Sequence, residues 1–326
     1  MSRLTLTTLL LLWTLLLRAV FARECGNETG FIRDITVWSQ QDADTKLDGC
    51  TSLVCALIIG HNYAGDFVLR GVTNLTKGFS TFTGYSRTTP DEIVEGVPGL
   101  TSVTAPDVLE VGSYSLDLEH STALKSVSFE KLRKAYNLNV ELGTVDSSLS
   151  FPSLESVVGR LTILGNFSSM NFESLTSVGS TITVRNRRDG ADNIYLYMYS
   201  VDIRETAALD IEFPSLVNCS TLKFWGNISR VSMPKLETIA DFTGDDMFYD
   251  YGHDLSVYTQ GLPLNLSLPS LWNISDVGLS GTFGSISLPA LKHVEKYTII
   301  SGLPMDVNLA PLESAATISF YGNVTE

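Results

Sequence analysis

The segment Phe151-Pro152-Ser153-Leu154 is the clearest copy of a short motif that recurs along the chain. In each copy an apolar residue stands three positions before a leucine or valine, usually with a proline between them. Nine copies begin at residues 105, 129, 151, 172, 213, 233, 268, 288 and 309, so their spacings are 24, 22, 21, 41, 20, 35, 20 and 21 residues. A period in this range indicates a stack of similar units, each burying its apolar face against its neighbours.

The residues between the motifs alternate between apolar and polar side chains. Leu161-Thr162-Ile163 and Ile182-Thr183-Val184 are examples, and this period of two is typical of short strands. A proline cannot donate to a sheet, so each one should lie where the chain leaves a strand and turns a corner. We therefore predict an all-β solenoid of ten to twelve coils, a rod roughly 50 Å long at about 4.8 Å per coil. The two long spacings fit either one coil plus an insertion or two coils with one motif lost.

Helical periodicity is confined to residues 39–47. Ser39 and Asp42 fit a capping box, Trp38 and Ala43 occupy the staple positions, and Gly49 follows as a stop signal. Such a helix would cover the exposed end of the first coil. We assign residues 23–52 to an N-terminal cap and residues 53–326 to the solenoid, with no capping element after the strand-like residues 318–320.

Residues 1–22 have the features of a secretory signal peptide: a basic start, an apolar run over residues 4–17 and small residues before a cut after Ala22. Without Arg3 and Arg18 the mature chain has 20 basic and 36 acidic residues, a net charge near -16. That charge argues against nucleic acid or an anionic membrane as a partner. We expect an acidic extracellular protein.

The glycosylation sequons and the cysteines agree with an extracellular location. Cys25 and Cys50 flank the predicted helix and could tie the N-terminal segment to the first coil, although a Cys25 to Cys55 bond is also open. About seven coils separate Cys55 from Cys219, too far for a bond, so we interpret both as buried thiols. Eight asparagines are followed two residues later by Ser or Thr: Asn27, Asn74, Asn166, Asn218, Asn227, Asn265, Asn273 and Asn323.

Residues 39–53, with Cys25 before them and residues 67–72 after them, resemble the start of the receptor L-domain-like fungal cell-wall glycoproteins. These are GPI-anchored proteins related to the sporulation-specific and extracellular-matrix mutant group of ascomycetes. Residues 100–112 and 151–159 resemble their repeats, and the resemblance covers most of residues 25–320. It implies a right-handed parallel β-helix of the receptor L-domain type, a Cys25–Cys50 cap bond, a cell-surface or cell-wall location and a role in wall organisation without known catalysis.

The chain departs from that family at its end. Family members continue into a Ser/Thr-rich stalk and an apolar GPI-attachment tail, whereas this sequence stops at Glu326. Two interpretations remain open, a piece of a longer protein or a released form without an anchor. A membrane association is therefore implied only through a GPI anchor outside this sequence.

Parallel β-helices also include polysaccharide-degrading enzymes, so we searched for catalytic groups. The best candidates are Asp245, Asp246 and His253, a carboxylate pair close to a histidine. Their spacing of seven residues does not match two groups one coil apart, so we interpret the segment as an acidic, tyrosine-rich loop. No spacing indicates a metal site or a cofactor.

Two further features have alternative interpretations. Trp225 and Trp272 are expected to pack in the core or at corners, with stacking on sugar as the alternative. Arg185, with its neighbours Arg187 and Arg188, is expected at a solvated corner.

These observations favour a non-enzymatic, secreted cell-surface or cell-wall glycoprotein. It would contribute to fungal wall organisation by binding wall glycans or wall proteins with one long face. The alternatives are a β-helix polysaccharide-degrading enzyme using Asp245, Asp246 and His253, and a soluble secreted recognition protein with a partner outside the wall.

Overall fold

The computed structural model describes residues 23–28, 31–32, 34–81, 96–113, 115–186, 208–240, 254–306 and 311–325. The protein is nearly all β, with 58% of residues in strands and 3% in helix, so the expected all-β class is confirmed. The helix α1 is Gln40–Lys46. In chain order, strands β1 to β27 are Glu24–Cys25, Asn27–Glu28, Phe31–Ile32, Ile35–Val37, Ser52–Leu53, Leu57–Ile59, Ala64–Val68, Asn74–Leu75, Phe79–Ser80, Gly99–Thr104, Glu110–Val111, Leu116–Leu118, Ser126–Ser128, Lys134–Ala135, Leu138–Ser150, Ser156–Val157, Leu161–Asn171, Ser177–Asn186, Leu209–Glu212, Asn218–Gly226, Ile228–Ser232, Thr238–Ile239, Leu255–Ser267, Asn273–Ile274, Asp276–Ser287, His293–Asp306 and Ser314–Thr325.

The strands stack into parallel sheets in a solenoid-like arrangement. What we call the long sheet pairs β4, β6, β9, β12, β15, β17, β18, β20, β23, β25, β26 and β27 in that order. Two-residue strands such as β8, β11 and β14 form a second sheet, and β7, β10 and β13 begin a third. Twelve strands at about 4.8 Å each give the long sheet a length of roughly 50 Å.

The proline motif forms the corner between the third sheet and the second. The N–H of Leu154 donates to the carbonyl oxygen of Phe151 (3.2 Å), and that of Leu216 donates to Phe213 (3.3 Å). Each proline is thus the second residue of a four-residue turn, where its fixed φ is suited. Phe151 and Leu154 are both fully buried, so the predicted corner with two inward side chains is confirmed.

The two long spacings each contain one coil plus an insertion. Ile182 in β18 pairs directly with Leu222 in β20, although 40 positions separate them. Thr238 in β22 likewise pairs directly with Asn273 in β24. The coil register therefore continues across both intervals, and the extra residues fall within 187–207 and 241–253, outside the described part of the chain.

Helix α1 packs beside the first coils. The Ser39 Oγ accepts the Asp42 N–H (3.1 Å), as the capping box predicts, whereas the Asp42 carboxylate accepts the N–H of Trp38 (3.0 Å). The Gln40 side chain pairs with both backbone groups of Val68, which anchors the helix to the end of β7. Ala43 is buried on the inner face.

A disulfide joins Cys25 in β1 to Cys50, just after the helix. The other two cysteines, Cys55 and Cys219, are free and buried. Burial raises the pKa of both thiols, which keeps them protonated. The cap is thus covalently closed, and the bond uses the pairing that the family resemblance implies.

At the other end, β27 exposes side chains that point toward the core. Ile318 and Phe320 continue the inward register of Tyr297 and Ile299, yet they are 43% and 38% exposed. Among the described residues no strand packs on the outer side of β27, which explains the difference in burial.

Candidate functional site

The outer face of the long sheet carries the most distinctive surface chemistry of the described residues. Because side chains alternate along a strand, two outward positions of each coil line up with those of the next. The first of these we call the polar column: Thr162, Thr183, Lys223, Ser256, Gly278, Thr298 and Ser319. The second we call the aromatic column: Leu164, Arg185, Trp225, Tyr258, Ser280, Ile300 and Tyr321.

Arg185 and Trp225 are neighbours in the aromatic column. The Arg185 guanidinium carbon lies 4.5 Å from the centroid of the Trp225 ring, a cation–π contact. The expectation of a solvated corner is therefore wrong for Arg185, which lies inside β18 and is half-buried. Core packing is also wrong for Trp225, because the inward positions of β20 are taken by Leu222 and Phe224.

The aromatic column has a gap at the small residue Ser280, and the polar column has the equally small Gly278 beside it. Gly278 and Ser280 lie between Tyr258 on one side and Ile300 on the other, leaving a cavity of about 190 Å³. Ser256 and Thr298 of the polar column also line it. The cavity is open to solvent on the outer face, and Ile300 at its edge is 46% exposed.

Toward the N-terminal end of the same face, both columns continue with carboxyl side chains. Asp117 lies in line with Thr162, and Glu141 lies in line with Leu164. Burial, and to a smaller extent the charge of Glu119, raises the pKa of Asp117 to about 7. Burial also raises the pKa of Glu119, helped by the charge of Glu141. The buried Oδ1 of Asp117 has no hydrogen-bond partner among the residues that the structure describes.

Beside these carboxyl groups, His120 has an unusual backbone conformation. His120 has a φ of +56°, and its N–H donates to the Glu141 carboxylate (2.9 Å). A carboxyl group with a pKa near 7 can act as a general acid near neutral pH. Within the described ranges, however, no three His, Cys, Asp or Glu side chains are arranged to hold a metal ion.

Asp245, Asp246 and His253, the catalytic residues of the alternative enzyme interpretation, lie outside the described residues. Their neighbour Asp254 accepts the backbone N–H groups of Ser275 and Asp276, both at 3.1 Å. Burial nevertheless raises the pKa of Asp254. Its contacts are those of a residue that fixes the start of the neighbouring strand.

Along the described strands, none of the eight sequons occupies the polar or the aromatic column. Asn265 and Asn273 are exposed, Asn74 and Asn218 are half-buried, and Asn227 is only 8% exposed. The side chains of Asn27, Asn166 and Asn323 are outside the described set. Glycans at the exposed sequons would therefore be attached outside both columns.

Sequence reasoning missed Tyr258, Ser280 and Ile300 as neighbours. Each follows an alternating apolar residue, as in Ser256-Val257-Tyr258, so superimposing the coils would have revealed the column. The insertion before Leu255 hid only the link from Trp225 to Tyr258, because Tyr258, Ser280 and Ile300 follow it at regular spacings of 22 and 20 residues.

Trp272 lies at a corner after β23 and is 56% exposed, so it is not a core residue. None of the helices in the described parts of the chain has the length and hydrophobicity needed to cross a membrane.

A scan against protein-family models finds no match to this chain, and searches of curated proteins and of solved structures find none either. The family resemblance therefore stays a prediction from the sequence.

Proposed function

We propose that this chain is a non-enzymatic, secreted cell-surface or cell-wall glycoprotein that contributes to fungal wall organisation by binding wall glycans or wall proteins. Its fold would be a right-handed β-helix of the receptor L-domain type. The leader at residues 1–22, the sequons and the acidic composition support secretion. The resemblance of residues 39–53 supports the family and the wall location.

One observation carries the binding role. The outer face of the long sheet is continuous over consecutive coils, bears Trp225, Tyr258 and Tyr321 in one column, and contains none of the sequons in that column. Extended faces of stacked repeats are typical binding surfaces. Half-exposed aromatic side chains supply apolar contact area at low entropic cost.

The proposal is tested by secreting the chain from a fungal host and measuring where it goes. We expect the protein in the wall or medium fractions, and we expect insoluble wall polysaccharide to deplete the purified protein from solution. Retention inside the cell, or no depletion by glucan, mannan or isolated wall protein, would contradict the proposal. Phospholipase treatment of cells would separately show whether the protein carries a GPI anchor.

A polysaccharide-degrading enzyme is the second candidate, favoured by the raised pKa values of Asp117 and Glu119 on the outer face. Its test is the release of reducing ends from glucan and pectic polymers. Turnover that Glu119→Gln abolishes would support this candidate. Binding without turnover would support the non-enzymatic function.

A further inference from the structure

We propose that the cavity between Tyr258 and Ile300 binds one neutral hexopyranose unit of a linear polysaccharide, whose chain runs along the aromatic column. This inference rests on the proposed glycan-binding function and names the ligand class and the position of the site.

The shape of the cavity follows from the register of three coils. β23 contributes Tyr258, β25 contributes the small Ser280, and β26 contributes Ile300 at the same position. Two large side chains thus stand two coils apart, roughly 10 Å, with a shallow floor between them. Its volume of about 190 Å³ lies below the roughly 300–1,000 Å³ of pockets for drug-sized molecules, so it suits a single ring.

The chemistry of the lining selects a neutral sugar. A pyranose has apolar C–H faces and a rim of hydroxyl groups. Tyr258 and Ile300 supply apolar walls, and the hydroxyls of Ser256, Ser280 and Thr298 both donate and accept hydrogen bonds. Among the described residues, no charged side chain lines the cavity, so a sugar carboxylate or ammonium group would gain no direct ion pair from its lining.

The nearest charges on the same strands also balance each other. Asp276 and Lys296 pair in register, each two residues before a lining position. Lys223 lies in register with Ser256 and Asp254 stands two residues before Ser256, so two acidic and two basic groups lie near the cavity. The whole chain has a net charge of -14, which disfavours anionic polymers such as pectate at long range. The charge pattern thus favours a neutral polymer over an acidic one.

The aromatic column sets the direction of the polymer. Trp225 is the register neighbour of Tyr258 before the cavity, and Tyr321 is the register neighbour of Ile300 after it. From Trp225 to Tyr321 the column spans five coils, roughly 20 Å. A polysaccharide lying across the strands would contact apolar side chains on both sides of the cavity.

The test compares binding of three soluble polymers by isothermal titration calorimetry: a neutral β-glucan, a neutral mannan and the anionic polygalacturonate. Tyr258→Ala removes one wall, and Ser280→Tyr fills the floor from an outward strand position without touching the core. Leu109→Tyr is the matched control, because it introduces the same side chain at a 42% exposed position beside β11, outside both columns of the long sheet. Thermal unfolding of each variant checks that the fold is retained.

We expect a neutral polymer to bind the wild type, and both cavity variants to weaken binding by at least about tenfold, as loss of an aromatic anchor typically does. Leu109→Tyr should bind like the wild type. Unchanged binding by the cavity variants, or preference for polygalacturonate, would overturn this inference while leaving the proposed function intact. Binding to none of the three polymers would remove the glycan-binding function itself and the inference with it.

Discussion

Gly281 in β25 lies so close to Thr259 in β23 that a Cβ on Gly281 would overlap the carbonyl oxygen of Thr259. Gly281 also has a φ of +126°, which residues with a side chain rarely adopt. Gly322, at the corner one coil beyond Ser301, meets the same two constraints. The corner that ends the long sheet therefore requires glycine for both space and backbone conformation.

We expect Gly281→Ala to lower the free energy of unfolding by about 2–4 kcal/mol, from backbone strain and overpacking together. Denaturant unfolding would measure this loss of stability. Gly302→Ala is the matched control on the next strand, because its nearest atom is 3.9 Å away and its φ is not in the left-handed region. The free energy of unfolding of Gly302→Ala should differ from that of the wild type by no more than about 1 kcal/mol. Equal losses for the two variants would show that the close approach to Thr259 is unimportant.

The raised pKa of Asp117 predicts an unusual pH dependence of the free energy of unfolding. Its pKa is about 7 in the folded protein against an ordinary 3.8, so the folded state binds this proton more tightly than the unfolded state. The contribution of Asp117 to stability is therefore fully present below about pH 4 and is lost as the pH rises to about 7. By linkage the loss amounts to at most about 4 kcal/mol. Asp117→Asn should remove this loss and stabilise the protein at pH 7.

Asp66 serves as a control, because its pKa is shifted in the opposite direction from that of Asp117. Hydrogen bonds from Ser102 (2.6 Å) and Thr101 (2.7 Å) lower the pKa of Asp66 below its usual value. Its contribution is present at neutral pH and lost as the pH falls through its folded pKa. Asp66→Asn should thus destabilise the protein at pH 7 and have less effect in acid. Parallel pH profiles of unfolding for the two variants would refute the assignment for Asp117.

The Cys25–Cys50 disulfide should stabilise the cap. It links residues 25 positions apart in the chain, for which constraint of the unfolded state contributes about 3 kcal/mol. We expect the double variant Cys25→Ala, Cys50→Ala to unfold at correspondingly lower denaturant concentration. A reductant should shift the wild type to the same midpoint and leave the double variant unchanged. A reductant effect on the double variant would mean that another disulfide is present.

A line of phenylalanines runs along the core beside the corners. The ring of Phe151 is 5.5 Å from that of Phe129 and 5.3 Å from that of Phe172, and both pairs are stacked. Because Phe151 is fully buried, Phe151→Ala should cost about 3–5 kcal/mol in unfolding experiments. Phe320→Ala, at a position 38% exposed, should cost far less. Similar costs would indicate that the core has relaxed around the missing ring.

The fold could be predicted because its determinants are local. The proline turn at Phe151 and Leu154, and the alternation around Ile163, each lie within a few residues, so one coil can be recognised without knowing its neighbours. Helix α1 was predicted for the same reason, since Ser39 and Asp42 fix its start.

The candidate site could not be predicted in this way, because it depends on which coils are adjacent. Arg185 and Trp225 are 40 residues apart, and the insertion between them conceals that they share a column. The high pKa of Asp117 could not be predicted for a similar reason. Alternation marks Asp117 as outward, but it does not reveal that its carboxyl group is buried on that face.

The direct pairing of Ile182 with Leu222 has a practical consequence for engineering. Residues 187–207 connect β18 to β19. Because β18 is already hydrogen-bonded to β17 and β20, and β19 to β21, the register of these strands does not depend on the length of that connection. An epitope tag or a reporter peptide grafted there should therefore leave both flanking strands in place. Residues 187–207 therefore offer a labelling site between β18 and β19, and residues 241–253 offer a second between β22 and β23.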